Sequence, residues 1–296
     1  MSHSQQREKL RNKLKNREFI VAPGIHDMIT AVLAKDLGFE VVYGTGYWLV
    51  ASALGLPDAG IASVTQMTDR MATLVETSGS AVIADADTGY GGLLNVHHTV
   101  RAYEKAGVAA LQIEDQEFPK KCGHTPYKRI VPTDVMVEKI KVACDARSDR
   151  NLVVIARTDA RQSEGLDGTL RRLEAYAKAG ADVLFPEALT SKEEMRKVCS
   201  EFGLPVLANM AQGGVTPILP AGELQEIGFS LAIFPAMTAL AAAAASYEAL
   251  AHLKEHGEGI CPGLPLFDFK RFCQLIGFEE VWAFERKWSS PSPQDH

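Results

Sequence analysis

Four times along the chain a helix-forming stretch ends at a glycine, and one or two residues later a short apolar run begins: KDLGFEVVYGTG, EKAGVAALQIED, AKAGADVLFPEA and QEIGFSLAIFPA. Glycine after a last helical turn supplies the left-handed residue that closes a helix. An apolar run of about five residues suits a parallel strand buried on both faces. Filling the intervals gives eight strand candidates, at 19–23, 41–45, 81–86, 110–114, 152–157, 182–186, 205–209 and 231–234. Helical patterns at 28–36, 64–78, 94–106, 133–147, 167–179, 191–202 and 221–227 lie between most of them, and an Ala-rich helix at 237–255 follows the last. Eight such units predict an α/β fold, a (β/α)8 TIM-type barrel over 1–258. A doubly wound sheet would open with a Gly-rich phosphate loop after the first strand, and VAPGIHDM is not one.

Residues 259–296 break the repeat. A Pro/Gly linker leads into one or two amphipathic helices with Phe267, Phe269, Phe272, Trp282, Phe284 and Trp288, and then a polar end. So many aromatic rings need a surface to cover, either their own barrel or a partner subunit reached by exchanging helices. The net charge of -6 brings no basic patch or tail, which argues against nucleic acid and anionic membranes as partners. The polar N-terminus has no signal-peptide core, and no run is long enough to span a bilayer, so a cytoplasmic protein is expected. The five cysteines are odd in number and form no C-x-x-C pair, which fits reduced thiols and argues against structural zinc.

In a barrel of this kind, polar residues at the carboxyl ends of the strands carry the chemistry. Here six successive strands deliver them: Tyr43 and Thr45, Asp85 and Asp87, Glu114 and Asp115, Arg157 and Asp159, Glu187, and Asn209. Residues two apart on a strand point the same way, so Asp85 and Asp87 are expected to project together, with Glu114 alongside. Converging carboxylates raise one another's pKa unless a cation sits between them. Oxygen ligands with room for water and substrate point to Mg2+, with Mn2+ as a substitute. Arg157 at the same rim would fork onto a carboxylate or phosphate, or else pair with Glu187 or Asp85, and Asn209 would hold a substrate carboxylate or a loop. A small oxo or hydroxy acid that chelates metal is the expected ligand.

These residues, in GLPDAG, IADADTGYG, IEDQ, PKKCGH, IARTDA, FPEA and NMAQGGVTP, resemble the isocitrate lyase/phosphoenolpyruvate mutase superfamily over roughly residues 15–255. The pattern is similar to the methylisocitrate lyase, 2,3-dimethylmalate lyase, petal-death type malate lyase and carboxyvinyl-carboxyphosphonate mutase branches. The resemblance implies Mg2+ held by Asp85, Asp87 and Glu114, with Asp58 acting through water. It implies a mobile gate at KKCGH with Cys122 as catalytic acid/base and Gly123 and His124 against substrate. It also implies 2-oxo-acid contacts at Tyr43, Thr45, Gly46 and Arg157, and homotetramers with exchanged C-terminal helices.

The implied activity is carbon–carbon cleavage of a substituted 2-hydroxy di- or tricarboxylate to a 2-oxo acid plus a carboxylic acid. Tyr43 or a group near Glu187 would take the hydroxyl proton, and Lys120, Lys121 and His124 would lower the pKa of Cys122. Carbon–phosphorus mutase or hydrolase chemistry and oxaloacetate hydrolysis are the alternatives. A catalytically silent 2-oxo-acid binder would have lost an acid or the gate Cys, and neither is lost. Gln212 departs from a usual Glu, and Tyr47 and Trp48 stand where small residues are commoner; they either narrow the pocket or, for Trp48, pack outward.

Overall fold

A computed structural model describes residues 2–121 and 128–289. Eight strands carry the fold: β1 (Ile20–Ile25), β2 (Val41–Gly44), β3 (Ala81–Asp85), β4 (Ala110–Glu114), β5 (Val153–Thr158), β6 (Val183–Pro186), β7 (Leu207–Asn209) and β8 (Leu231–Phe234). All pair in parallel in the order β6-β5-β4-β3-β2-β1-β8-β7. A parallel bridge between Leu184 and Val206 joins the two end strands and brings the sheet round into a barrel. The expected (β/α)8 architecture is therefore the one observed.

The helices among the strands are α1 (His3–Lys15), α2 (Met28–Asp36), α3 (Gly46–Leu54), α4 (Val64–Ser78), α5 (Leu93–Ala106), α6 (Thr133–Ala146), α7 (Arg161–Ala179), α8 (Lys192–Glu201) and α9 (Ala221–Ile227). The four repeat glycines, Gly38, Gly107, Gly180 and Gly228, all adopt positive φ just after a helix, as the repeat requires. Two helices lie outside the expected set. α3 occupies GYWLVASAL, whose aromatic and apolar run carries little helical periodicity. α1 is mostly polar, and of the buried residues that anchor it, Gln6, Arg7, Leu10 and Leu14, the two leucines one turn apart are the apolar ones.

That anchoring closes the barrel floor. Arg7 of α1 donates to the carbonyls of Val108 at 2.9 Å and Glu104 at 2.5 Å, and Arg11 donates to that of Leu152 at 3.2 Å. Val108 and Leu152 sit just before β4 and β5, so α1 covers the amino ends of the strands. Leu10 and Leu14 join the barrel interior, where Ile20, Ala22, Val41, Ala81, Ile83, Ala110, Val153, Ile155, Val183, Phe185, Leu207, Leu231 and Ile233 alternate along their strands. A second, larger apolar layer lies between strands and helices. A packed interior with a sealed floor leaves the carboxyl ends as the open face.

The chain divides into two compact units, one up to Leu240 and one from Ala241 on, the division falling within α10 (Met237–His256). The second unit also holds α11 (Phe269–Leu275) and α12 (Phe278–Trp288). No described helix is long and apolar enough to cross a membrane.

Leu10→Ala removes a side chain that is 1% exposed at the floor of the barrel. It is expected to cost about 2–5 kcal/mol in urea unfolding. Leu94→Ala, at an exposed position of α5, should stay within about 0.5 kcal/mol. Equal losses for the two would contradict the sealing role of α1.

Candidate active site

The alternation that fills the barrel interior does not stop at its upper end; it turns polar. The next inward positions are Tyr43 on β2, Asp85 on β3, Gln112 and Glu114 on β4, Arg157 on β5, Glu187 just past β6 and Asn209 on β7. All but Gln112 line a cavity of about 220 Å³, whose wall also includes Thr45, Tyr47 and Trp48 after β2, Asp58, Lys120 and Lys121, Ala211 to Gly214, and Ile233, Pro235 and Ala236.

The carboxylates gather around Lys120. Its amine pairs with Asp58 and, at 2.9 Å, with Asp87 Oδ1, and it is almost wholly buried. Burial alone would strip its charge, but Asp87, Asp85, Glu114 and Asp58 outweigh that and hold it protonated. Burial raises the carboxyls in turn: Asp58 is shifted up, Asp87 is pushed up to about 7 and Glu114 stands well above the usual range. Asp85 adds to all three shifts by like-charge repulsion. Asp85 and Asp87 do not project as a strand pair. β3 stops at Asp85; Asp87 adopts φ 49° in the left-handed region, and its own N–H donates to Asp85 Oδ1 at 3.0 Å. Both nevertheless reach the same charge cluster.

Glu114 joins the two sides of the site. Its Oε2 accepts from Gln112 Nε2 at 3.4 Å and faces Arg157 at 3.4 Å, while its buried Oε1 has no partner among the described residues. Gln112, which the sequence reading passed over, also accepts from the Tyr43 hydroxyl at 2.9 Å. Burial, then the Asp85 charge, pushes the Tyr43 phenol well above its ordinary value, so it stays protonated.

Arg157 is held as a fork. It donates to Asp159 at 2.9 and 3.1 Å, and it pairs with Glu187 at 3.2 Å besides Glu114. It does not pair with Asp85 among the described contacts. Burial opposes the charge on Asp159, but Arg157 and Lys128 overcome it and hold that carboxyl at about 2. Glu187 also accepts from Asn209 Nδ2 at 3.0 Å, which leaves Asn209 Oδ1 buried without a partner among the described residues.

Backbone geometry places the rest. Thr45 caps α3, whose first residue Gly46 packs so tightly on Asp85 that a Cβ there would lie 2.6 Å from Oδ2. The N–H groups opening α3 thus start beside the carboxylate cluster, and such groups favour an anion. Lys121 is clamped by Gln116 through two hydrogen bonds, 2.9 Å to its carbonyl and 3.0 Å from its N–H. Tyr47 and Trp48 both line the cavity, so Trp48 does not pack outward. Cys122, Gly123 and His124 lie outside the described residues.

Asp115, next to Glu114, has the opposite parity and leaves the cavity. It accepts from Thr158 at 2.6 Å, Tyr176 at 2.7 Å, the Asp159 N–H at 2.9 Å and Arg172 at 3.3 Å. It ties β4 to β5 and α7 behind the site.

The sequence model of the family described as phosphoenolpyruvate phosphomutase matches residues 10–254. The chain belongs to the phosphoenolpyruvate mutase/isocitrate lyase superfamily. Within the superfamily it is 42% identical to 2,3-dimethylmalate lyase of Eubacterium barkeri over 95% of this chain and 98% of that one. It is 43% identical to 2-methylisocitrate lyase of Halalkalibacterium halodurans over 94% and 92%. Oxaloacetate acetylhydrolase bound to 3,3-difluorooxalacetate superposes with a TM-score of 0.91 at 34% identity, covering 97% of each chain. Phosphonopyruvate hydrolase bound to oxalate and Mg2+ superposes at 0.85 and 29% identity, covering 97% and 99%. The protein is an enzyme, and its curated superfamily relatives are lyases.

Asp115→Ala would leave Arg172 and Tyr176 buried against a void. A loss of about 3–5 kcal/mol is expected in urea unfolding. A loss below about 1 kcal/mol would show that this buried network does not brace the site.

Proposed function

We propose that the protein is a Mg2+-dependent carbon–carbon lyase. It cleaves a substituted 2-hydroxy di- or tricarboxylate, dimethylmalate- or methylisocitrate-like, to a 2-oxo acid and a carboxylic acid. The observation that carries this reading is the excess of buried carboxylate at the strand ends, beside an anion-favouring helix start.

The cluster fits a hard divalent cation. Its donors are carboxylate oxygens, one of them, Glu114 Oε1, is buried without a partner among the described residues, and burial raises the carboxyls that Lys120 alone does not neutralise. Among the described residues no three acidic, His or Cys side chains sit close enough to ligate one ion directly. Mg2+ keeps several waters and takes few protein ligands, so water would complete its coordination here. Asp85, Asp87 and Glu114 would hold it, in part through its waters, and Asp58 would act through water, with Mn2+ as a substitute. When bound it would polarise the oxygen on C2 and offset the negative charge that develops there.

The substrate's own carboxylate meets the N–H groups of α3 at Thr45 and Gly46, together with Arg157, whose three carboxylate partners fix its orientation. The C2 hydroxyl loses its proton, the C2–O bond becomes a carbonyl, and the C2–C3 bond breaks with its electron pair passing to C3 and its carboxylate. Tyr43, kept protonated by burial and donating its one proton to Gln112, is not the base, which leaves Glu187 to accept the proton. C3 then takes a proton from Cys122. The Gln116 clamp supports that role, because it fixes Lys121 on the cavity wall one residue before the thiol. Gly123, His124 and Asn209 complete the substrate contacts, and Lys120 balances the carboxylates.

Residues 1–258 form the catalytic barrel in this reading and 259–296 an extension that exchanges between subunits of a cytoplasmic homotetramer. The exposed rings of Phe269, Phe284 and Trp288 support a covering partner. Carbon–phosphorus cleavage and oxaloacetate hydrolysis are the competing readings, favoured by the two solved structures above.

Release of 2-oxo acid from substituted malates and isocitrates, with phosphonopyruvate and oxaloacetate as comparisons, tests the proposal. EDTA should abolish turnover, and Cys122→Ser should lower kcat by about 100-fold or more. Turnover that survives EDTA, or a Cys122→Ser variant as fast as wild type, would refute the corresponding role.

A further inference from the structure

The cavity lining sorts by chemistry. One part is the carboxylate cluster with Lys120 and Arg157. A second is amide: Asn209 Oδ1 and Gln212 Oε1 are both buried without a partner among the described residues. Tyr43, Thr45 and Lys121 add further polar atoms, and the apolar side chains come mainly from two places, Tyr47 and Trp48 on α3, and Ile233, Pro235 and Ala236 at the end of β8, with Ala211 beside them.

Trp48 is held in register with the reacting end. Gly46 sits against Asp85, and the indole is two residues further along the same helix. The Tyr47 ring meets it edge-on with centroids 4.9 Å apart, which braces it. The two rings thus form an apolar wall of the same cavity that the carboxylates line.

Resting on the lyase reading above, we infer that this wall receives the C3 substituent, that the substrate is a malate bearing an alkyl group at C3, and that Trp48 is the residue that selects it. The charged cluster and the α3 N–H groups take the C1 carboxylate and the C2 oxygen. The C4 carboxylate is left to the Gln212 amide N–H, because Asn209 Nδ2 is already given to Glu187 and the amide oxygens can only accept. The C3 group then faces the rings. A methyl group gains by leaving water there, whereas a carboxymethyl group would be dehydrated against carbon with no partner.

The test compares 2-methylmalate, 2,3-dimethylmalate and 2-methylisocitrate on the Mg2+-loaded full chain, for wild type, Trp48→Ala and Trp48→Phe. In wild type, kcat/KM should be about tenfold or more higher for 2,3-dimethylmalate than for 2-methylmalate, the worth of one methyl in an apolar pocket. It should be about 100-fold or more higher than for 2-methylisocitrate. Trp48→Ala should bring the dimethylmalate to methylmalate ratio close to unity, and Trp48→Phe should keep most of it. A wild-type preference for 2-methylisocitrate, or a ratio unchanged in Trp48→Ala, overturns the inference and leaves the lyase reading standing. If wild type releases no 2-oxo acid from any of the three, the lyase reading falls. Calorimetric affinities for the same acids then decide the inference by the same order and the same ratios.

Discussion

Buried charge balance is the constraint on which the upper half of this barrel depends. Asp58, Asp85, Asp87, Glu114, Asp159 and Glu187 crowd the strand ends against Lys120, Lys128 and Arg157. The Arg157 side is closer to balance: forked hydrogen bonds to Asp159 and an ion pair to Glu187 hold the guanidinium, its Nη1 faces Glu114 at 3.4 Å, and Asp159 stays ionised. The Lys120 side is not, because one amine stands against four acids and burial lifts Asp58, Asp87 and Glu114 above their ordinary range. A site so arranged gains from a divalent cation and from a substrate that brings oxygen ligands with it.

The rest of the fold serves that imbalance. α1 covers the floor with Leu10 and Leu14, so the lower interior is packed with apolar side chains and the polar inward positions gather at the carboxyl ends. Asp115 and Arg172 brace β4, β5 and α7 behind the site, which keeps Glu114 and Arg157 facing each other. The absence of a side chain at Gly46 lets a helix start within reach of Asp85. Gln112 links the Tyr43 hydroxyl to Glu114 and so couples β2 to β4 at the same level.

Much of this was legible in the sequence because both periods involved are strong. Buried parallel strands are short unbroken apolar runs, and the glycines closing the helices marked where each begins. The polar ends of those strands gave Tyr43, Asp85, Glu114, Arg157, Glu187 and Asn209 as a set, and the structure brings them to one cavity. Strand parity also explains why Asp115 turns away while its neighbour Glu114 faces in. What the sequence hid was weakly patterned or non-local. α1 has too few apolar positions to read as a packed helix, and α3 too many to show a face. The left-handed turn at Asp87 is invisible to a period-two argument. Lys120 read as a neighbour of Cys122, yet its amine is committed to Asp58 and Asp87, partners 62 and 33 positions earlier in the chain. Trp48 could have faced either way on sequence grounds; the start of α3 beside Asp85 turned it into the cavity.

The central claim is that the carboxylate cluster is a cation site, and calorimetric titration of the full chain with Mg2+ tests it most directly. One site per chain is expected in wild type, lost in Asp85→Asn and in Glu114→Gln. An absence of binding in wild type, or binding that both variants retain unchanged, would contradict it.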